Sequence, residues 1–148
     1  MAWLAIVEDH GRYRQVLRDV LEQAPEVEVV WDCADGAAAL DRLAADAVGD
    51  PADAAAPVSP PIDVVVVDFS LPGLSGLQVV TEVGRRWPTL RCVVVSGHSR
   101  RSYVEQSLAA GAMAYVLKGS PADLRAAVAA ALAGHRFVSA RLGPVPEG

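Results

Sequence analysis

Short apolar runs alternate with longer stretches of helical periodicity along almost the whole chain. The runs are rich in β-branched residues, as strands are, and cover residues 3–7, 27–31, 62–67, 90–95 and 113–117. The first helical stretch carries an apolar stripe from Tyr13 to Leu21, and the others cover roughly 36–47, 75–87, 100–110 and 121–133. This alternation predicts an α/β fold with a doubly wound, five-stranded parallel sheet. We expect the strand order 2-1-3-4-5.

Length and composition exclude several classes of protein. A chain of 148 residues fits one domain with a single core. Its net charge of -5 disfavours direct nucleic-acid binding. Cys33 and Cys92 lack the spacing of a disulfide framework or a zinc site. No run approaches the ~20 apolar residues of a membrane span, so we expect a cytoplasmic protein that has no membrane partner.

Polar residues follow four of the predicted strands, at the point where each strand ends. Glu8 and Asp9 follow the first strand and Asp68 follows the third. Ser96 comes after the fourth strand and Lys118 after the fifth. Because ligands of open parallel sheets bind outside the carboxyl ends of the strands, we expect these side chains to converge on one edge.

Three converging acids repel one another unless a cation lies among them. A set of oxygen ligands with room for water suits Mg²⁺. Lys118 adds a compact positive charge and is the only lysine, against twelve arginines. A divalent ion and an ammonium around a carboxylate favour phosphoryl transfer, in which an aspartate attacks in line. Asp68 is therefore the candidate nucleophile.

The motifs at these strand ends resemble the receiver domain of two-component response regulators. They are VEDH at 7–10, DFSLPGLSG at 68–76, SGH at 96–98 and GAMAYVLKGSP at 111–121. The resemblance covers about residues 3–140 and implies the flavodoxin-like (βα)5 receiver fold. The stretches SGHS, GAMAYVLK and AGHRFVS are most similar to the subfamily that carries a LuxR-type helix-turn-helix output domain.

The resemblance implies a phosphorylation site and a metal site. Asp68 would accept a phosphoryl group, with Mg²⁺ present, from a histidine kinase or a phosphotransfer protein. Asp9, Asp68 and the main-chain carbonyl of Ser70 would be metal ligands, and Glu8 would act mainly through metal-bound water. The domain would signal rather than serve as an enzyme, although it would be able to catalyse its own phosphorylation and dephosphorylation.

The resemblance also implies a switch. Lys118 would pair with the phosphoryl group and the Ser96 hydroxyl would move toward it. Tyr115 would then turn inward and change the face formed by the fourth helix, the fifth strand and the fifth helix. The output would be transcription if the chain belongs to a longer regulator. The domain would also be able to form a homodimer.

The chain departs from the family pattern at several places. Glu8 stands where an aspartate is common, and Ser96 replaces the more usual threonine while keeping the hydroxyl. The loop at about 48–61 is longer than usual and rich in Ala and Pro. We expect a receiver domain at 1–140, and at 141–148 a C-terminal tail or truncated linker that is too short for a DNA-binding domain.

Two other functions compete with this interpretation. A phosphatase with an Asp nucleophile typically has a second Asp two residues on, where this chain has Ser70, which counts against it. The other alternative is a receiver-like protein-interaction module that is not phosphorylated. Such a module is expected to lack one of the acids or the lysine, and none is missing here.

Overall fold

The computed structural model describes residues 1–49, 52–53, 55 and 58–147. Within them, six parallel strands form one sheet in the order β2-β1-β3-β4-β5-β6. The elements along the chain are β1 (Ala2–Val7), α1 (Gly11–Glu22), β2 (Val27–Cys33), α2 (Gly36–Asp46), β3 (Val64–Asp68), α3 (Gly76–Arg86), β4 (Arg91–Ser96), α4 (Arg101–Ala109), β5 (Ala114–Leu117), α5 (Pro121–Leu132) and β6 (Phe137–Val138), followed by a 3₁₀ turn (Ala140–Leu142).

The α/β architecture with a parallel sheet agrees with the sequence prediction, but the predicted number of strands is wrong. The sheet has a sixth strand, β6, which pairs with β5 through Ala114 and Tyr115. Two residues are too few to produce a period that a sequence pattern can reveal. β6 extends the sheet beyond β5 and leads the tail back toward α4.

Two apolar layers enclose the sheet and explain the run of four valines. Val65 and Val67 face the layer that includes side chains of α2, α3 and α4. Val64 and Val66 face the layer formed with α1 and α5. Since β3 lies between β1 and β4 and is covered on both faces, each of these four positions favours an apolar side chain.

Side-chain caps define the residues at which α3 and α5 begin, shortly after the carboxyl ends of β3 and β5. Ser75 accepts a hydrogen bond from the Gln78 amide, and the Gln78 side chain accepts one from the Ser75 amide, which is a capping box. Ser120 accepts from the Asp123 amide at the start of α5, where Pro121 occupies the first turn.

The long loop between α2 and β3 is closed at its base. Val48 and Ser59 pair as an isolated antiparallel bridge, with N–O distances of 3.0 and 3.2 Å. Part of the predicted loop 48–61, at residues 50, 51, 54, 56 and 57, lies outside the described residues.

Across the described part of the chain, no helix has the length and apolar character needed to cross a membrane.

Candidate functional site

The acids predicted to converge do lie together at the carboxyl edge of the sheet. Glu8 and Asp9 follow β1, and Asp68 is the last residue of the neighbouring strand β3. One carboxylate oxygen from each of the three lies within 4.8 Å of the others. Glu8 is fully buried and Asp68 is 2% exposed, whereas Asp9 is partly exposed, so the cluster is open to solvent on the Asp9 side only in part.

Lys118 reaches the same cluster from the end of β5. Its Nζ donates to Glu8 Oε1 at 2.6 Å and lies 3.3 Å from Asp68 Oδ2. Burial lowers the pKa of this ammonium, but the hydrogen bond to Glu8 and the two carboxylate charges outweigh burial and raise it overall. Lys118 therefore remains a cation between the two acids.

Ionisation of Glu8 is unfavourable in this cluster. Burial, together with the neighbouring Asp68 carboxyl, raises the pKa of Glu8 from 4.5 to about 7, although Lys118 acts in the opposite direction. Near neutral pH the metal-free site thus carries a carboxyl that is only partly ionised. An added positive charge would favour its ionised form.

The oxygen atoms of the acidic cluster fit a divalent cation. Glu8 Oε2 and Asp9 Oδ1 are buried, and neither has a hydrogen-bond partner among the described residues. Buried carboxylate oxygens without partners are costly unless a cation or water binds them. With Asp68 they form an oxygen-only set, which is the chemistry that Mg²⁺ prefers.

Hydrogen bonds through His98 link Ser96, the predicted switch residue, to Ser70, which lies two residues after the candidate acceptor. The Ser70 amide donates to Asp68 Oδ1 at 3.3 Å, and the Ser70 hydroxyl lies 3.1 Å from Nε2 of His98. The amide of His98 donates to the Ser96 hydroxyl oxygen at 3.0 Å. These contacts join the loops that follow β3 and β4 beside the acid cluster.

Tyr115 already points inward in this structure. It is fully buried, and its hydroxyl donates to the main-chain carbonyl of His98 at 2.8 Å. Burial raises the pKa of the Tyr115 hydroxyl, which keeps the hydroxyl protonated and able to donate. Tyr115 thus already has the inward arrangement that we expect after activation. In the same structure the Ser96 hydroxyl accepts a hydrogen bond from the His98 amide, so the two arrangements are compatible.

A glycine lets α3 approach the end of β3 closely. A Cβ built at Gly76 would lie 2.3 Å from the Asp68 carbonyl oxygen and 2.8 Å from the Cα of Phe69. Both atoms belong to the backbone and cannot move aside independently. Gly76 thereby allows the helix to pack directly behind the candidate acceptor.

Two residues near the site were not predicted. The Tyr13 ring centroid lies 4.7 Å from Lys118 Nζ, and Arg14 Nη1 donates to the Glu8 carbonyl at 2.8 Å. Tyr13 had been assigned only to the apolar stripe of the first helix. The sequence did contain an indication of this contact: Tyr13 is the aromatic residue of that stripe and follows Asp9 by four positions.

Comparison with known proteins identifies the family. The model of the response regulator receiver domain matches residues 4–129. The chain belongs to this family. The resemblance drawn from the strand-end motifs is thereby confirmed, and the receiver domain is a signalling domain rather than an enzyme.

Individual relatives of this receiver domain include a transcriptional regulator and a response regulator of the LuxR family. The transcriptional regulatory protein DegU of Brevibacillus brevis is 30% identical over 120 residues, which are 81% of this chain and 45% of DegU. A LuxR-family response regulator from Aurantimonas sp. SI85-9A1 has a structure with a TM-score of 0.80 and 28% identity, covering 96% of this chain and 92% of that one.

The isolated receiver domain of RcsB from Salmonella enterica serovar Typhimurium, solved in the presence of the phosphomimetic BeF3-, has a TM-score of 0.79 and 25% identity. That match covers 99% of both chains. By contrast, this chain spans about half the length of the curated regulators that it matches, with 45% of DegU as one example.

Proposed function

We propose that this receiver domain accepts a phosphoryl group on Asp68 in a Mg²⁺-dependent reaction. The observation that carries the proposal is the position of Asp68: it is buried beside two acids that have unpartnered oxygens, and its Oδ2 lies 3.3 Å from the Lys118 ammonium. The donor is a histidine kinase or a phosphotransfer protein that carries the group on its own histidine.

Asp9, Asp68 and the Ser70 main-chain carbonyl would hold the metal ion directly. Glu8 would contribute mainly through metal-bound water, and its unpartnered Oε2 supports that role. When bound, Mg²⁺ neutralises charge on the oxygens of the transferring phosphoryl group. The residues of the chain supply the nucleophile and its orientation.

In the transfer step, an Asp68 carboxylate oxygen forms a bond to phosphorus in line with the leaving group. The bond between phosphorus and the donor's histidine nitrogen breaks, and its electron pair returns to that nitrogen. Lys118 then pairs with the new phosphoryl oxygens, for which it gives up part of its contact with Glu8. The domain thus promotes its own phosphorylation, and hydrolysis by water returns Asp68 to a free carboxylate.

Phosphorylation would act on the α4-β5-α5 face through Ser96 and Tyr115. The phosphoryl group is a strong acceptor for the Ser96 hydroxyl, which would leave its contact with the His98 amide. The inward Tyr115, bonded to the His98 carbonyl, would become the dominant arrangement. This is a population shift, because the inward side chain already packs without a phosphoryl group.

We further propose the context in which the domain acts. Residues 1–140 form the receiver unit and 141–148 a tail or truncated linker. The matched half of DegU, a transcriptional regulator, supports transcription control as the output of a longer protein. Such a protein would work in the cytoplasm, pair with its kinase and form homodimers, while this segment itself would not contact nucleic acid.

The test is phosphorylation by a small donor. Phosphoramidate with Mg²⁺ is expected to add one phosphoryl group, detected by intact mass, and chelation of Mg²⁺ is expected to prevent it. Asp68→Asn is expected to abolish the addition, with Asp63→Asn as the matched control on the opposite edge of the sheet. If Asp68→Asn is still labelled, the assignment of Asp68 as the acceptor is wrong. If wild type takes no label and binds no beryllofluoride, the unphosphorylated interaction module is the better description.

A further inference from the structure

Tyr13 contacts Lys118 and the residue that follows it. The ring centroid of Tyr13 lies 4.7 Å from Lys118 Nζ, a distance typical of a cation–π contact. The Tyr13 hydroxyl oxygen also accepts a hydrogen bond from the Gly119 amide at 3.3 Å. One side chain of α1 therefore contacts both ends of the lysine, its ammonium and its peptide bond to the next residue.

The lysine needs such a restraint because its side chain is long and flexible. Its stem has four rotatable carbons, and its side chain is 24% exposed, so water competes for the ammonium. The backbone after it also turns sharply, since Gly119 has a φ of +93°. Attraction between the ammonium and carboxylates does not by itself keep Lys118 beside Asp68, because Glu8 is the nearer acid.

A neutral aromatic ring is suited to this task. It attracts the ammonium by its negative face and adds no charge to a site that already contains three acids. Tyr13 is itself half-buried, so its ring lies in a packed position beside the ammonium and is not free in solvent. A carboxylate in the same place would instead compete with Asp68 for the ammonium.

We propose that Tyr13 is a positioning residue that holds the Lys118 ammonium at the acceptor site. The ring restrains the ammonium, and the hydroxyl bond to Gly119 keeps the ring in place. This inference rests on the proposed phosphorylation of Asp68. Its structural part, the contact between the ring and the lysine, is testable in the unphosphorylated protein as well.

Because Lys118 is the only lysine, labelling with ¹³C-lysine gives the signal of one side chain. In wild type, the ε-methylene protons are expected to show an upfield shift from the Tyr13 ring. Tyr13→Leu and Tyr13→Met are expected to move this signal toward that of free lysine. Phe137→Leu, which removes an aromatic ring that packs on the α1 and α5 layer away from Lys118, is the matched control.

The functional arm compares phosphorylation with metal binding. Tyr13→Leu is expected to lower the second-order rate constant for phosphoramidate roughly three- to tenfold. Its Mg²⁺ affinity, measured by calorimetry without a donor, is expected to change less than about twofold, because the ring binds no metal ligand. Tyr13→Phe keeps the ring and is expected to fall between wild type and Tyr13→Leu in rate.

Each result decides the proposal. An unchanged lysine signal in folded Tyr13→Leu and Tyr13→Met would show that the ring does not hold Lys118. Equal losses of rate and of Mg²⁺ affinity would indicate a general structural role and would also overturn it. Failure of wild type to be phosphorylated would instead remove the proposed function, and the lysine signal would still report whether the contact exists.

Discussion

Lys118 Nζ lies 2.6 Å from Oε1 of Glu8, closer than its 3.3 Å separation from Oδ2 of Asp68. The lysine therefore neutralises the fully buried acid in the absence of a phosphoryl group. A bound cation and a phosphoryl group would redistribute these contacts. The metal would compensate Glu8 and Asp9, and the phosphoryl oxygens would attract the ammonium.

Replacement of Lys118 by methionine is expected to affect metal and phosphoryl binding in opposite directions. Loss of the ammonium removes a charge that repels Mg²⁺ and competes for Glu8, so Mg²⁺ is expected to bind a few-fold more tightly. Beryllofluoride, which imitates the phosphoryl group, is expected to bind at least tenfold more weakly. Calorimetry measures both. Arg12→Met, at an exposed arginine of α1, is the charge-matched control and is expected to change neither affinity beyond about twofold.

The raised pKa of Glu8 predicts how stability depends on pH. The folded protein holds this proton more tightly than the unfolded chain, because the pKa rises from 4.5 to about 7 on burial beside Asp68. Ionisation of Glu8 therefore costs folding free energy, and the stability of the metal-free protein is expected to fall as pH rises through that window. The full cost is on the order of 3 kcal/mol.

Thermal unfolding at pH 5 and pH 8 measures this effect, because these values lie below and above the folded-state pKa of about 7 for Glu8. Mg²⁺ is expected to restore much of the stability at the higher pH, because it binds the folded, ionised site. Glu8→Gln is expected to reduce both the pH dependence and the stabilisation by Mg²⁺. A metal-free protein whose stability rises across this window would contradict the assignment to Glu8.

The convergence of the acids and Lys118 was predictable because it depends on topology alone. In a parallel sheet, residues that follow β1, β3 and β5 must emerge at the same edge. The preference of Lys118 for Glu8 was not predictable, since it reflects a difference of less than an ångström set by side-chain rotamers. The Tyr13 contact depends on the rotation of α1 about its axis, which the apolar stripe defines only approximately.

The helix α3 offers two glycines whose replacement by alanine is expected to have opposite effects. At Gly76 the added Cβ meets the Asp68 carbonyl oxygen at 2.3 Å, and the resulting backbone shift is expected to cost about 1–3 kcal/mol. At Gly84 the nearest atom lies 3.9 Å away, and the helix gains about 0.5–1 kcal/mol from reduced backbone entropy in the unfolded chain. Chemical denaturation measures both changes. Equal effects would show that the close approach of α3 to β3 is not a constraint.

Arg101 anchors the tail to α4, and its replacement is expected to release that segment. Its Nη1 donates to the Leu142 carbonyl at 2.8 Å and its Nη2 to the Pro144 carbonyl at 2.5 Å. Arg101→Gln removes these charge-assisted bonds, so amide exchange after Leu142 is expected to rise about tenfold while the sheet keeps its protection. Arg100→Gln, at the exposed neighbouring arginine, is the control and is expected to leave the exchange unchanged. Equal exchange in both variants would show that packing of the buried Leu142, rather than the arginine, holds the tail in place.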